Sequence, residues 1–75
     1  MSHEKSPDKL VYMANQIGKF FVSQGPEQAV VGTADHIMKF WDPRMREAIL
    51  AHLDSDGAGL DPWVYDALTR LKNGN

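Results

Sequence analysis

Residues 39–46 read Lys39-Phe40-Trp41-Asp42-Pro43-Arg44-Met45-Arg46. Two large aromatic side chains close one segment, and Asp followed by Pro opens the next. Proline disfavours helical backbone in the residue before it. It fits the first turn of a helix, where its missing N–H would be unbonded in any case. An Asp in front of it can accept from the free N–H groups of that turn. The stretch therefore predicts one helix ending near Trp41 and another beginning at Pro43. The same punctuation recurs at Ser6-Pro7, Gly25-Pro26 and Asp61-Pro62, each a further helix start. Between these marks apolar residues recur at spacings of three and four, not two. The expected fold is all-α: a small bundle of three to four short helices over about residues 7–23, 26–41, 43–54 and 62–72.

The periodicity assigns an inward stripe to each helix. It is Leu10, Met13, Ala14, Ile17, Phe20 and Phe21 in the first helix, and Val30, Ala34, Ile37, Met38 and Trp41 in the second. The third carries Met45, Ile49, His52 and Leu53, and the fourth Val64, Ala67, Leu68 and Leu71. Gly57 and Gly59 end the third helix. The whole of 1–75 reads as one small helical domain, with residues 1–6 and 73–75 expected to fray. Asp42-Pro43-x-Met45 and Asp61-Pro62-x-Val64 look alike. They are read as the same capping grammar used twice, since a repeat architecture needs at least three copies.

The chain has 75 residues, 43% of them hydrophobic, and no cysteine. That supports one small core and excludes disulfides, Cys-ligated zinc, iron–sulfur ligation and Cys nucleophiles. A domain of this size without such staples points to a partner surface as its remaining support. Eight basic against ten acidic residues give a net charge of -2, which does not favour nucleic acid. No apolar run approaches the roughly 18 residues of a membrane span, and MSHEKSPDK lacks the apolar core of a signal peptide. The expectation is a soluble cytoplasmic protein. No Gly-rich phosphate loop, nucleophile elbow or Ser–His–Asp arrangement is present. His36 and His52 have no metal-ligand spacing. Asp54-Ser55-Asp56-Gly57 fails as a calcium loop because its glycine comes too early. No catalytic, cofactor-binding or metal site is expected in this chain.

Three places break local rules. Arg44 and Arg46 lie in the first turn of the third helix, where the helix dipole disfavours cations. Arg46 also shares a side with Ile49, Leu50 and Leu53; an arginine so placed meets an anion or a carbonyl cluster. Two readings stand. In one, Asp42 and Glu47 neutralise both arginines and Arg46 snorkels over the core edge. In the other, both dock on an acidic or carbonyl-rich patch of a partner. Gly18 interrupts the first helix at about 1 kcal/mol against Ala, beside Val11 and Val22. Either a partner helix lies in its groove, or the chain's own helices cover it. His36 and Phe40, one turn apart, are a candidate exposed aromatic patch. Trp41 is read as packing across the turn onto the third helix.

Met13-Ala14-Asn15-Gln16-Ile17-Gly18-Lys19-Phe20-Phe21, then Ala34-Asp35-His36-Ile37, then Lys39-Phe40-Trp41-Asp42-Pro43-Arg44-Met45-Arg46 together resemble the delta subunit of NAD-dependent, molybdenum-containing formate dehydrogenase. The resemblance extends through Ala51-His52-Leu53, Gly57 and Leu60, and weakly to Ala67-Leu68. It implies a small accessory subunit of a cytoplasmic complex, bound to an alpha subunit and linked to its assembly, cofactor loading or stability. The molybdenum cofactor, iron–sulfur clusters and flavin are then expected in partner subunits. The complex oxidises formate to carbon dioxide and reduces NAD; this chain does not. Asn15, Gln16, Gly18, His36, Phe40, Arg44 and Arg46 are the expected partner-binding residues; Trp41, Asp42, Pro43 and Met45 form the structural motif between the helices, in which Trp41 and Pro43 set the angle that presents the arginines. The alternative is a free-standing helical adaptor that uses the same face on an unrelated protein. A helix-turn-helix DNA binder and a two-histidine metalloprotein are the less favoured classes.

Overall fold

A computed structural model describes residues 8–74. The described residues form four helices: α1 (Asp8–Val22), α2 (Pro26–Phe40), α3 (Pro43–Ser55) and α4 (Pro62–Lys72). No strand occurs among them. The expected helix start at Ser6-Pro7 and the expected fraying of residues 1–6 lie outside the described residues, as does Asn75. At the other end the N–H groups of Asn73 and Gly74 bond the carbonyls of Thr69 (3.0 Å) and Leu71 (3.1 Å).

Helix α2 is the hub. It packs most extensively on α1 and on α4, and α3 lies chiefly against α4. The bundle measures 40 × 22 × 21 Å. Its core is Ala14, Ile37, Trp41, Ile49, Leu53, Val64 and Leu68. Ile37, Ile49, Val64 and Leu68 are fully buried, each stabilising by about 1.5–3 kcal/mol relative to exposure. Leu10, Met13, Ile17, Met45 and Leu71 pack around this cluster, half-buried.

Two expected core residues stand outside. Phe20 is 66% exposed and Met38 52%. Both Phe20 and Phe21 satisfy the helical period after Ile17, but only Phe21 meets a gap on the neighbouring helix. That gap is Gly32 of α2, where an added Cβ would sit 2.6 Å from the Phe21 ring. In α2 the inward position belongs to Thr33, which is fully buried, and Met38 turns to the outer flank.

The junction between α2 and α3 is built as the Asp-Pro signal requires. Trp41 leaves the helix with an extended backbone (φ -84°, ψ 140°) while its N–H still bonds the Ile37 carbonyl. Its indole is buried in the core, so the turn is fastened by the residue that ends the helix. Asp42 caps α3, its Oδ1 accepting from the Met45 N–H at 2.9 Å. Asp61 differs: its side chain makes no cap bond to α4 and pairs instead with Lys19 of α1 at 3.2 Å.

Gly57 ends α3 in the left-handed region (φ +64°). The Tyr65 ring lies where its Cβ would be, 2.6 Å away. His52 Nε2 is 2.8 Å from the Ala58 carbonyl, tying the loop back to α3, and Lys72 pairs with Asp54 across α3 and α4.

Candidate functional site

The residues expected to bind a partner fall into two groups. Asn15, Gly18 and Arg46 are taken up by the chain itself. Gln16, His36, Phe40 and Arg44 remain available at the surface.

Asn15 bridges α1 to the loop before α4. Its Nδ2 donates to the Gly59 carbonyl at 2.9 Å, and its Oδ1 accepts from the Asp61 N–H at 3.0 Å. Its amide oxygen and one amide N–H thereby bond within the chain. Gly18 is buried against α4: an added Cβ would lie 2.7 Å from Val64 Cγ2 and 2.8 Å from Trp63 Cδ1. The groove at Gly18 is filled by the fourth helix of this chain, not by a partner helix. Arg46 does meet a carbonyl cluster, but an intramolecular one. Its Nη1 donates to the Trp41 carbonyl and, at 3.4 Å, to that of Met38. These carbonyls lie in the last turn of α2 and just beyond it, where helical partners run out and a cation is favoured by the dipole. The unfavourable placement of Arg46 in its own helix is offset at the end of the preceding one.

On the other flank of α1 and α2 an apolar face stays open. Gln16, Ile17, Phe20, Phe21 and His36 line a hollow of about 290 Å³. The Phe20 and Phe21 rings meet edge to face with centroids 5.0 Å apart. One turn along α2 from His36, Phe40 projects with 73% of its surface exposed, its ring centroid 4.8 Å from that of His36. His36 thus packs on Phe40 on one side and shares the hollow with the phenylalanines of α1 on the other. Phe20 is the member that sequence reasoning placed wrongly; the signal that could have found it is Gly32, which has room for only one of the two adjacent rings. Arg44 is exposed four residues beyond Phe40, without an ion-pair partner among the described residues.

A second, larger hollow of about 560 Å³ lies between α2 and α4, lined by Glu27, Gln28, Val30, Val31, Asp66, Thr69 and Arg70. Its lining mixes carboxylates, an arginine and aliphatic groups, without a convergent polar set. Among the described residues no group of three or more His, Asp or Glu side chains could hold a metal ion. No helix there is long and apolar enough to cross a membrane.

The family model that matches this chain describes the NADH-dependent formate dehydrogenase delta subunit FdsD, and it covers residues 9–68. No curated protein and no solved structure matches. The matched span holds almost all of α1 to α4, including the Phe-Trp-Asp-Pro junction and the open aromatic face. The chain therefore belongs to the FdsD family of formate dehydrogenase delta subunits.

Proposed function

We propose that this chain is a non-catalytic accessory subunit of a cytoplasmic NAD-dependent formate dehydrogenase. It binds the molybdenum-containing alpha subunit through the face of Gln16, Phe20, His36 and Phe40, with Arg44 at its edge. There it supports assembly, cofactor loading or stability. The observation that carries this reading is the pair of phenylalanines left largely exposed, Phe20 at 66% and Phe40 at 73%, around an apolar hollow on a chain with so small a core. Phenylalanines so placed are costly in water and gain most when a partner covers them. Aromatic anchors surrounded by weaker contacts are the usual energetic centre of an interface. The chain has no cysteine to ligate an iron–sulfur cluster; in this reading the clusters, the flavin and the molybdenum cofactor sit in the partner subunits, as the family resemblance implies.

The test is capture of the enzyme from its native cytoplasm on tagged chain, with an assay of the eluate for formate-dependent NAD reduction. The wild-type chain is expected to retain the large subunit and the activity. Phe20→Ser with Phe40→Ser is expected to lose both while keeping its helical circular dichroism. Full retention by the double variant, or absence of any large subunit from the wild-type eluate, would reject the proposal.

A further inference from the structure

A backbone amide can attack the side chain of the residue before it. Where that residue is Asn, the amide nitrogen bonds to the side-chain Cγ and ammonia leaves. Water then opens the cyclic imide to an aspartyl or an isoaspartyl residue, with no oxidant or reductant involved. The attack is easiest before glycine, which has no side chain in the way and the freest backbone. It is held back where hydrogen bonds fix the two residues. Three places in the described residues offer this chemistry: Asn73-Gly74, Asn15-Gln16 and, as the slower carboxyl counterpart, Asp56-Gly57. The fold treats them differently. Asn15 lies inside α1 with its side chain bonded to Gly59 and Asp61. The Asp56 carboxylate accepts from the Ala58 N–H at 3.0 Å, and the N–H of Gly57, itself buried, is bonded to the His52 carbonyl at 2.9 Å. Asn73 is exposed, and its carboxamide has no hydrogen bond among the described residues. The attacking group, the Gly74 nitrogen, is held by one bond to the Leu71 carbonyl at 3.1 Å, with open space where a Cβ would stand.

We infer that Asn73 is the site at which the folded chain deamidates spontaneously, and that the change loosens the clasp between α3 and α4. Asn73 sits at φ -88°, ψ 7°. Ring closure needs a turn about ψ that brings the Gly74 nitrogen to face Cγ. That turn breaks the bond to Leu71 and leaves the Asn73 N–H on Thr69, so only the end of the last turn has to open. The product bears a new carboxylate at the C-terminal end of α4, where the helix dipole disfavours an anion. It stands beside Lys72, whose ammonium pairs with Asp54 of α3, and competes for that cation. An isoaspartyl product also adds one methylene to the backbone between Leu71 and Gly74, which displaces the Gly74 N–H from its acceptor. None of this rests on the proposed function.

The full chain is held in mildly alkaline, heavy-oxygen water and followed by isoelectric focusing and peptide mass spectrometry. One more acidic species is expected to accumulate, with heavy oxygen confined to the peptide that holds position 73. Asn73→Gln, whose longer side chain cyclises far more slowly, is expected to abolish it. A synthetic peptide of residues 70–75 gives the rate without a fold. The folded chain is expected to react within about tenfold of it, since opening a terminal turn costs little, and tenfold corresponds to about 1.4 kcal/mol. In concentrated urea, isoaspartate is expected at Asp56-Gly57 as well, because the bonds that fix it are gone. Reaction of the folded chain at Asn15 or Asp56 ahead of Asn73, or a rate at Asn73 slower than that tenfold margin, overturns the site. The acidic species, separated by ion exchange, is expected to melt below the unmodified chain at low salt, with the gap narrowing at high salt. Identical melts at low salt overturn the loosened clasp.

Discussion

The guanidinium of Arg46, from the first turn of α3, donates to the carbonyl of Trp41 at the end of α2. One residue thereby closes the helix before its own. Trp41 is fastened twice, by its indole in the core and by its carbonyl on Arg46. The two arginines of the Asp-Pro-Arg-Met-Arg string consequently do different things.

Arg46→Ala is expected to lower the unfolding free energy by about 1.5–2 kcal/mol, the lower part of the range for bonds from a charged donor. Arg46→Lys recovers only part of this, since an ammonium lacks the planar fork. Arg44→Ala, at an exposed position, stays within about 0.5 kcal/mol but weakens capture of the enzyme. Urea denaturation followed by circular dichroism, run beside the capture assay, separates the two. A destabilised Arg44→Ala would contradict the division.

Gly18→Ala sets two effects against each other. Helix propensity favours Ala by about 1 kcal/mol. The new Cβ would meet Val64 Cγ2 at 2.7 Å, and Val64 is fully buried and cannot swing away. Overpacking of that kind costs about 1–3 kcal/mol. The clash is expected to win, with a melting temperature lower by several degrees, since 1 kcal/mol moves a domain of this size by about 4–8 °C. A raised melting temperature would show that α4 is not seated on Gly18.

The two Asp-Pro starts are expected to respond unequally. Asp42→Ala removes a bond to the Met45 N–H and costs about 1 kcal/mol. Asp61→Ala removes only an ion pair to a largely exposed Lys19, with a cost of about 0.5 kcal/mol or less. Equal losses, measured by thermal melts at low and high salt, would overturn the assignment.

Thr33→Val is expected to stabilise. The Thr33 side chain is fully buried and its Oγ1 has no hydrogen-bond partner. An unmatched buried hydroxyl costs about 1–3 kcal/mol, and Val keeps the branched shape. A gain of about 1 kcal/mol in chemical denaturation is the expected result; a loss would mean that the hydroxyl is bonded in solution.

The core positions show how far pattern reading reaches. Ala14, Ile37, Ile49, Leu53, Val64, Ala67 and Leu68 were legible because each continues a period of three or four and each is buried. Phe20 and Met38 were not, because adjacent residues at a helix edge fit the period equally and only the neighbouring helix decides between them. In the site, His36 and Phe40 were legible as one turn of one helix. The roles of Asn15 and Gly18 depend on residues more than 40 positions away, Gly59, Asp61 and Val64, which no local pattern connects.

The sequence by itself determined the helices and their boundaries to within about two residues, because proline, capping residues and apolar period act over one or two turns, and its Met13–Phe21 and Lys39–Arg46 strings carried the family resemblance. Tertiary structure alone decided which rule-breaking residues were spent inside the fold and which were left at its surface. Arg46, Asn15 and Gly18 are satisfied by other helices and loops of the same chain. Phe20 and Phe40 are not covered by any of them.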